Sequence, residues 1–253
     1  MKKIFSTTTI LLITLLLSGS AGASMLIPAN NHAIENSQAP GNSPVINENW
    51  ELERVDFIHY AKPDRPSKPD KNNRDMCYKL FGVKWKDLSV DYVINPTNPE
   101  NLTDDFIFEA ISSAAEAWDI ETSNEVLSDV YTIDYTVEYG IRDYKNALVF
   151  GDYNDDNVIA VTSIWYTPRG KEIVESDILF NTRFDWGNAD VDVTLMDLQN
   201  IAIHEIGHLL GLDDIYSDTC AEVTMYGYSE EGEIKKRTLE QSDIDGIQRL
   251  YGM

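Results

Sequence analysis

The sequence predicts an α+β domain in which a twisted mixed β-sheet packs against helices. Three observations predict it. Apolar and polar residues alternate in the middle of the chain, as at Leu88, Val90, Tyr92 and Ile94, which is the period of a half-buried strand. A helical period follows, with Ile107, Ala110, Ile111, Ala114 and Trp118 on one face. Two more helical patterns close the chain, one through Leu198, Ile201, Ala202 and Leu209 and one through Ile244, Ile247 and Leu250. Strand, helix, several strands, helix, irregular turn and helix leave one sheet with helices laid against it.

The chain has 253 residues, of which 43% are hydrophobic. That suffices for one mid-sized domain, or for one domain plus a prosegment. Lys2 and Lys3 precede an apolar run from Ile10 to Leu17, and Ala21-Gly22-Ala23 supplies a small-residue cleavage site. Residues 1–23 therefore read as an export signal, with a retained membrane anchor as the alternative. Ser24 to about Asn49 is rich in Asn, Ser, Pro and Gly and reads as a linker. Trp50 to Tyr60 regains apolar character and reads as a short strand. Pro63, Pro66 and Pro69 then mark an extended connector, because proline fixes the backbone and removes a donor. On this reading residues 24–76 form a linker or prosegment and residues 77–253 the folded domain.

Within that domain, Thr103 is the expected N-cap of the first helix, with Asp104 and Asp105 in its first turn. Ile133, Tyr135 and Val137 alternate as a strand, and Ala147 to Phe150, Val158 to Trp165 and Ile173 to Phe180 are further strands. Thr194 is the expected cap of the next helix. The last helix is expected to start at Thr238, where Gln241 can close a capping box. The formal net charge of -23 argues against nucleic acid or an anionic membrane as a partner. Asp152, Asn154, Asp155, Asp156 and Asn157 cluster in one turn. Oxygen donors suit Ca²⁺, and the same cluster also reads as a solvated acidic turn.

The stretch from His204 to Asp214, His-Glu-Ile-Gly-His-Leu-Leu-Gly-Leu-Asp-Asp, carries the chemistry. His204 and His208 lie four apart on a helix, so both rings face one way and can chelate one ion. Imidazole suits Zn²⁺. Glu205 follows the first ligand directly, which puts its carboxylate beside the metal, where a general base for a water molecule belongs. Gly211 can end the helix and turn the chain back toward the ion. The chain has 4 His, and none follows His208, so a downstream third ligand needs another donor. Asp214 is the best placed, and Asp213 is its near rival.

The 2 Cys, Cys77 and Cys220, read as a disulfide in an exported chain. The rival reading is a thiol that blocks the metal until activation.

The extended string resembles the metzincin pattern, with Asp where the family usually has His, as in snapalysin-like enzymes. The resemblance widens to the catalytic domain of matrixins. Lys84-Trp85, Ser176 to Asn181, Thr224-Met225-Tyr226-Gly227-Tyr228 and Thr238 to Gly252 all look like parts of it. It implies a zincin-like fold with an active-site helix, a Met-turn at Met225 and a closing helix, and it offers Tyr228 as a substrate-pocket residue or an aid to the oxyanion, with a core tyrosine as the alternative. Matrixins also hold a structural zinc with histidines in the middle strands. This chain has no His between His59 and His204, so one catalytic Zn²⁺ per chain is expected. The resemblance implies a secreted zinc endopeptidase acting on protein or peptide substrates, with His204, His208 and Asp214 as ligands and Glu205 as base. A non-catalytic surface-binding module that kept the fold, and a protease dedicated to processing its own arm, are the alternatives.

Overall fold

The computed structural model describes residues 52–63 and 76–253. The export segment, the linker from Ser24 to Asn49, and Pro66 and Pro69 of the connector lie outside the described residues. In chain order the strands are β1 (Glu53–Ala61), β2 (Lys79–Leu80), β3 (Val93–Asn95), β4 (Thr132–Ile133), β5 (Ala147–Gly151), β6 (Val158–Thr167), β7 (Glu172–Asn181), β8 (Trp186–Gly187), β9 (Met196–Asp197), β10 (Leu212–Asp213) and β11 (Tyr228–Ser229). The α-helices are α1 (Asp104–Asp119), α2 (Leu198–Leu209) and α3 (Gln241–Tyr251).

Seven strands form the main sheet in the order β11-β1-β6-β7-β5-β3-β4. The β3–β4, β3–β5 and β5–β7 pairs are parallel, whereas β6 runs antiparallel to both β7 and β1. This is the expected α+β architecture with a mixed sheet. Strand β6, Val-Ile-Ala-Val-Thr-Ser-Ile-Trp-Tyr-Thr, is nearly continuous in apolar and small residues and is buried along almost its whole length. Such a run suits a strand covered on both faces. Helix α1 begins as expected, with Thr103 Oγ1 accepting from the Phe106 N–H and with Ile107, Ala110, Ile111, Ala114 and Trp118 buried. Helices α1 and α2 pack together, and α2 lies against β6 and β7.

The structure corrects several boundaries. The segment expected to precede the domain supplies β1, which is hydrogen-bonded between β6 and β11, so the sheet takes in residues well before Cys77. The alternation from Leu88 to Ile94 yields only the short strand β3, because Ser89 adopts a φ of 60° and breaks the extended run. Strand β4 stops at Ile133, where Asp134 Oδ1 accepts from the Thr136 N–H and turns the chain. Helix α2 is capped by Asp197 rather than Thr194, since Met196 and Asp197 still pair with β8 as strand β9. Helix α3 starts at Gln241, where Glu240 and Asp243, not Thr238 and Gln241, form the capping box. At the acidic turn, the Arg183 guanidinium donates to Asp152, Asn154 and Asp156, so a protein cation sits among the side chains considered for Ca²⁺.

Cys77 and Cys220 form a disulfide across 143 positions of sequence. It ties the chain ahead of β2 to the short 3₁₀ turn Asp218–Cys220. In the chain-entropy model a loop of this length is worth about 5 kcal/mol, less any strain. Cys77→Ser with Cys220→Ser is expected to lower the unfolding free energy by about 2–5 kcal/mol, read from urea denaturation. An unchanged midpoint would show that the bond contributes nothing to stability.

Candidate metal centre

Helix α2 carries His204, Glu205 and His208, all fully buried. Its C-terminal end explains how the chain returns to them. Gly211 has a φ of +100°, and a Cβ there would collide with the Val83 carbonyl, so only glycine fits the turn. The Gly211 N–H closes the helix on the His208 carbonyl at 2.8 Å. Strand β10 then pairs with β2, and Asp214 follows against the two imidazoles.

His204 Nε2 and His208 Nε2 lie 3.1 Å apart. Asp214 Oδ1 is 3.3 Å from the first and 3.4 Å from the second. The other ring nitrogens are committed. His204 Nδ1 lies 2.7 Å from the Thr224 carbonyl and His208 Nδ1 lies 3.0 Å from the Leu212 carbonyl. A carbonyl can only accept, so each Nδ1 carries the proton and each Nε2 offers a lone pair. Asp214 Oδ1 is buried without any hydrogen-bond partner among the described residues, while its Oδ2 accepts from the Tyr216 hydroxyl at 3.0 Å. Two imidazole lone pairs and one orphaned carboxylate oxygen converge on one point. A divalent cation would satisfy all three, and the nitrogen and oxygen donor set fits zinc. Asp213 faces elsewhere: it accepts from Lys79 at 2.6 Å and from the Asp214 N–H at 2.8 Å.

Glu205 lies beside this cluster. Its Oε2 accepts from Thr162 Oγ1 of β6 at 2.6 Å, and its Oε1 is 2.9 Å from His59 Nδ1 of β1. Burial pushes its carboxyl up to about 7. Below the cluster, Met225 is fully buried under α2. A Cβ on Gly207 would strike Met225 Sδ and Trp118, so this glycine lets the turn approach the helix at the residue before His208. Thr224 and Met225 donate their N–H groups to Asp243 at 2.8 and 3.2 Å, and the Glu240 N–H donates to the same carboxylate at 3.0 Å. Tyr228 is half-buried and lines a cleft of about 330 Å³ with Tyr60, Ala61, Lys62, Pro63 and Asn157.

Reasoning from sequence missed three residues of this site, His59, Thr162 and Lys236, and Asp243 behind it. Lys236 is fully buried, and burial lowers its ammonium to about 8. Nothing local marks it, because Lys235-Lys236-Arg237 reads as a solvated charge run. His59 had a usable signal, since it is one of only 4 His and sits in an apolar stretch.

A family model described as Matrixin matches residues 84–252. Among individual relatives, Matrix metalloproteinase-16 of Mus musculus is 28% identical over 211 residues, covering 77% of this chain and 33% of the relative. Metalloendoproteinase 2-MMP of Arabidopsis thaliana is 30% identical over 184 residues, covering 69% and 45%. Stromelysin-1 of Mus musculus is 30% identical over 175 residues, covering 67% and 33%. The chain thus spans about a third of the length of the first of these relatives.

Two substitutions are expected to behave oppositely. Asp214→Ala should lose bound zinc, whereas Asp213→Ala should keep it and lose only its surface contacts; Asp214→His should also keep it, as imidazole is a zinc donor. Metal analysis after dialysis reads all three, and the reverse pattern would move the ligand by one residue. Asp243→Ala should cost several kcal/mol by leaving three N–H groups without an acceptor, at about 1–3 kcal/mol for each that stays dry. Thermal unfolding checks this, and a loss below about 1 kcal/mol would mean that water replaces the carboxylate.

Proposed function

The chain belongs to the matrixin family, and from that membership we propose that it is a secreted zinc-dependent endopeptidase acting on protein or peptide substrates. One observation carries the proposal: the convergence of His204 Nε2, His208 Nε2 and the unpartnered Asp214 Oδ1, with Glu205 alongside. His204, His208 and Asp214 would hold one Zn²⁺. Bound zinc would supply Lewis-acid polarisation of the substrate carbonyl and acidify a water molecule near it. Glu205 takes the proton of the attacking water and passes it to the leaving amine. Thr162 orients that carboxylate from β6, and β6 with α2 shields it from solvent. Asp214 brings a negative charge that an imidazole would not, which tempers the Lewis acidity. Met225 floors the site, and Tyr228 of β11 is the substrate-pocket residue of this reading.

Secretion rests on the sequence of residues 1–23. Among the described residues no helix is long and apolar enough to cross a membrane. The domain proposal keeps residues 77–253 as the catalytic part and residues 24–76 as an arm, with β1 of that arm docked in the sheet. Calcium forms no part of the proposal, since the Arg183 guanidinium already sits in the acidic turn, bonded to Asp152 and Asp156. A protease dedicated to its own arm has one observation in its favour, the contact of His59 with Glu205.

Purified zinc-loaded chain is expected to digest casein once the arm before Met76 has been removed. Glu205→Gln should lower that rate by at least about 100-fold, the usual weight of a general base, with zinc content unchanged. Equal digestion by the variant would remove Glu205 from its role. Intact casein beside a chain that shortens itself would favour the self-processing reading.

A further inference from the structure

Strand β1 lies in a slot one strand wide. It runs antiparallel to β6 on one side and parallel to β11 on the other. Without it, both neighbours would present unpaired backbone groups, a template for an extended peptide. Its inward side chains cover the candidate metal centre. Phe57 stacks on the His208 ring at 4.3 Å, and the His59 ring lies 3.9 Å from that of His204. The strand also precedes residues 84–252, the part that the Matrixin model matches. An extended segment that fills the groove and holds the base occupies the place a substrate needs.

The pocket that receives His59 is polar at its floor. Lys236 Nζ donates to the carbonyls of Tyr226 and Tyr228, and its remaining proton faces His59 Nε2 at 3.4 Å. An ammonium has three donors and no acceptor, so His59 Nε2 must accept. His59 Nδ1 then carries the hydrogen and donates to Glu205. With His59 gone, one donor of a fully buried ammonium has no protein partner among the described residues. An apolar side chain in its place leaves that donor unsatisfied, while a neutral acceptor satisfies it.

Resting on the peptidase reading for the word substrate, and on a substrate strand taking the place of β1, we propose that Lys236 selects a substrate side chain bearing a hydrogen-bond acceptor at the position His59 holds. Selection of this kind is strong, because a site built to bond a polar group rejects analogues that lack it.

The test uses the full zinc-loaded chain carrying a specific protease site between Pro63 and Met76. After the cut, a labelled peptide of the Glu53–Ala61 sequence is added, together with versions carrying His59→Gln and His59→Leu. The His and Gln peptides are expected to bind at least about tenfold more tightly than the Leu peptide, and Lys236→Met should close that gap. In the uncut chain, His59→Leu should lower the melting temperature less in the Lys236→Met background than in the parent, so the pair can be read even if cutting unfolds the protein. Equal binding of the Leu peptide, or no coupling between the two substitutions, overturns the role of Lys236. Absence of activity in every form, with peptide binding retained, sinks the peptidase reading and leaves the groove and its preference standing.

Discussion

The site depends on one buried carboxylate that never touches it. Asp243 accepts from the N–H groups of Thr224, Met225 and Glu240. The bonds to Thr224 and Met225 fix the turn beneath α2, and the bond to Glu240 caps α3. With the turn fixed, the Thr224 carbonyl faces His204 Nδ1 and sets its tautomer. Met225 then seats against Gly207, and α2 is held at one height above it. Tryptophans brace the same helix, since Trp118 donates to the Ile203 carbonyl at 2.8 Å and Trp85 to the Leu209 carbonyl at 2.9 Å. Hydrogen bonds that orient ligands from behind are worth tens of fold in metal affinity, and here they run from the C-terminal helix through a single turn.

Above that frame lies an unusual amount of dry charge. Glu205 and Lys236 are fully buried and Asp214 nearly so. Each ion taken from water costs several kcal/mol after relaxation, so the arrangement persists only if the charges compensate one another. Lys236 faces His59, which faces Glu205, and Asp214 faces the two imidazoles. Strand β1 completes this set and excludes water from it. Removing β1 opens the groove and at the same time exposes a carboxylate and an ammonium to whatever enters next.

Local features of the sequence were legible because their causes are local. Thr103 and the Ile107–Trp118 face follow from capping and helical period. The meeting of His204, His208 and Asp214 follows from i, i+4 spacing and from a glycine that leaves the helix at Gly211. The disulfide followed from having two cysteines in a chain read as exported. The rest is set across long sequence separations. Asp243 reads as a helix N-terminal acid, yet its partners include residues 18 and 19 positions away. Lys236 stands in a basic triplet that propensity assigns to solvent, and only tertiary packing carries it inward. Strand β1 was legible as a strand but not as a member of this sheet, because pairing register depends on partners more than a hundred residues distant. Helix starts at Asp197 and Glu240 were displaced by strand pairing and by the tertiary bonds of Asp243.

The central claim is that one metal ion sits where two imidazoles and Asp214 converge and that His59 stays off it, engaged instead by Glu205 and Lys236. A diffraction experiment on crystals of the zinc-loaded full chain, with data collected on both sides of the zinc absorption edge, addresses this directly. The account predicts a single anomalous peak bounded by His204 Nε2, His208 Nε2 and Asp214 Oδ1, with Asp213 on Lys79. A peak bound by His59 or Asp213, or no peak at this position, would contradict it.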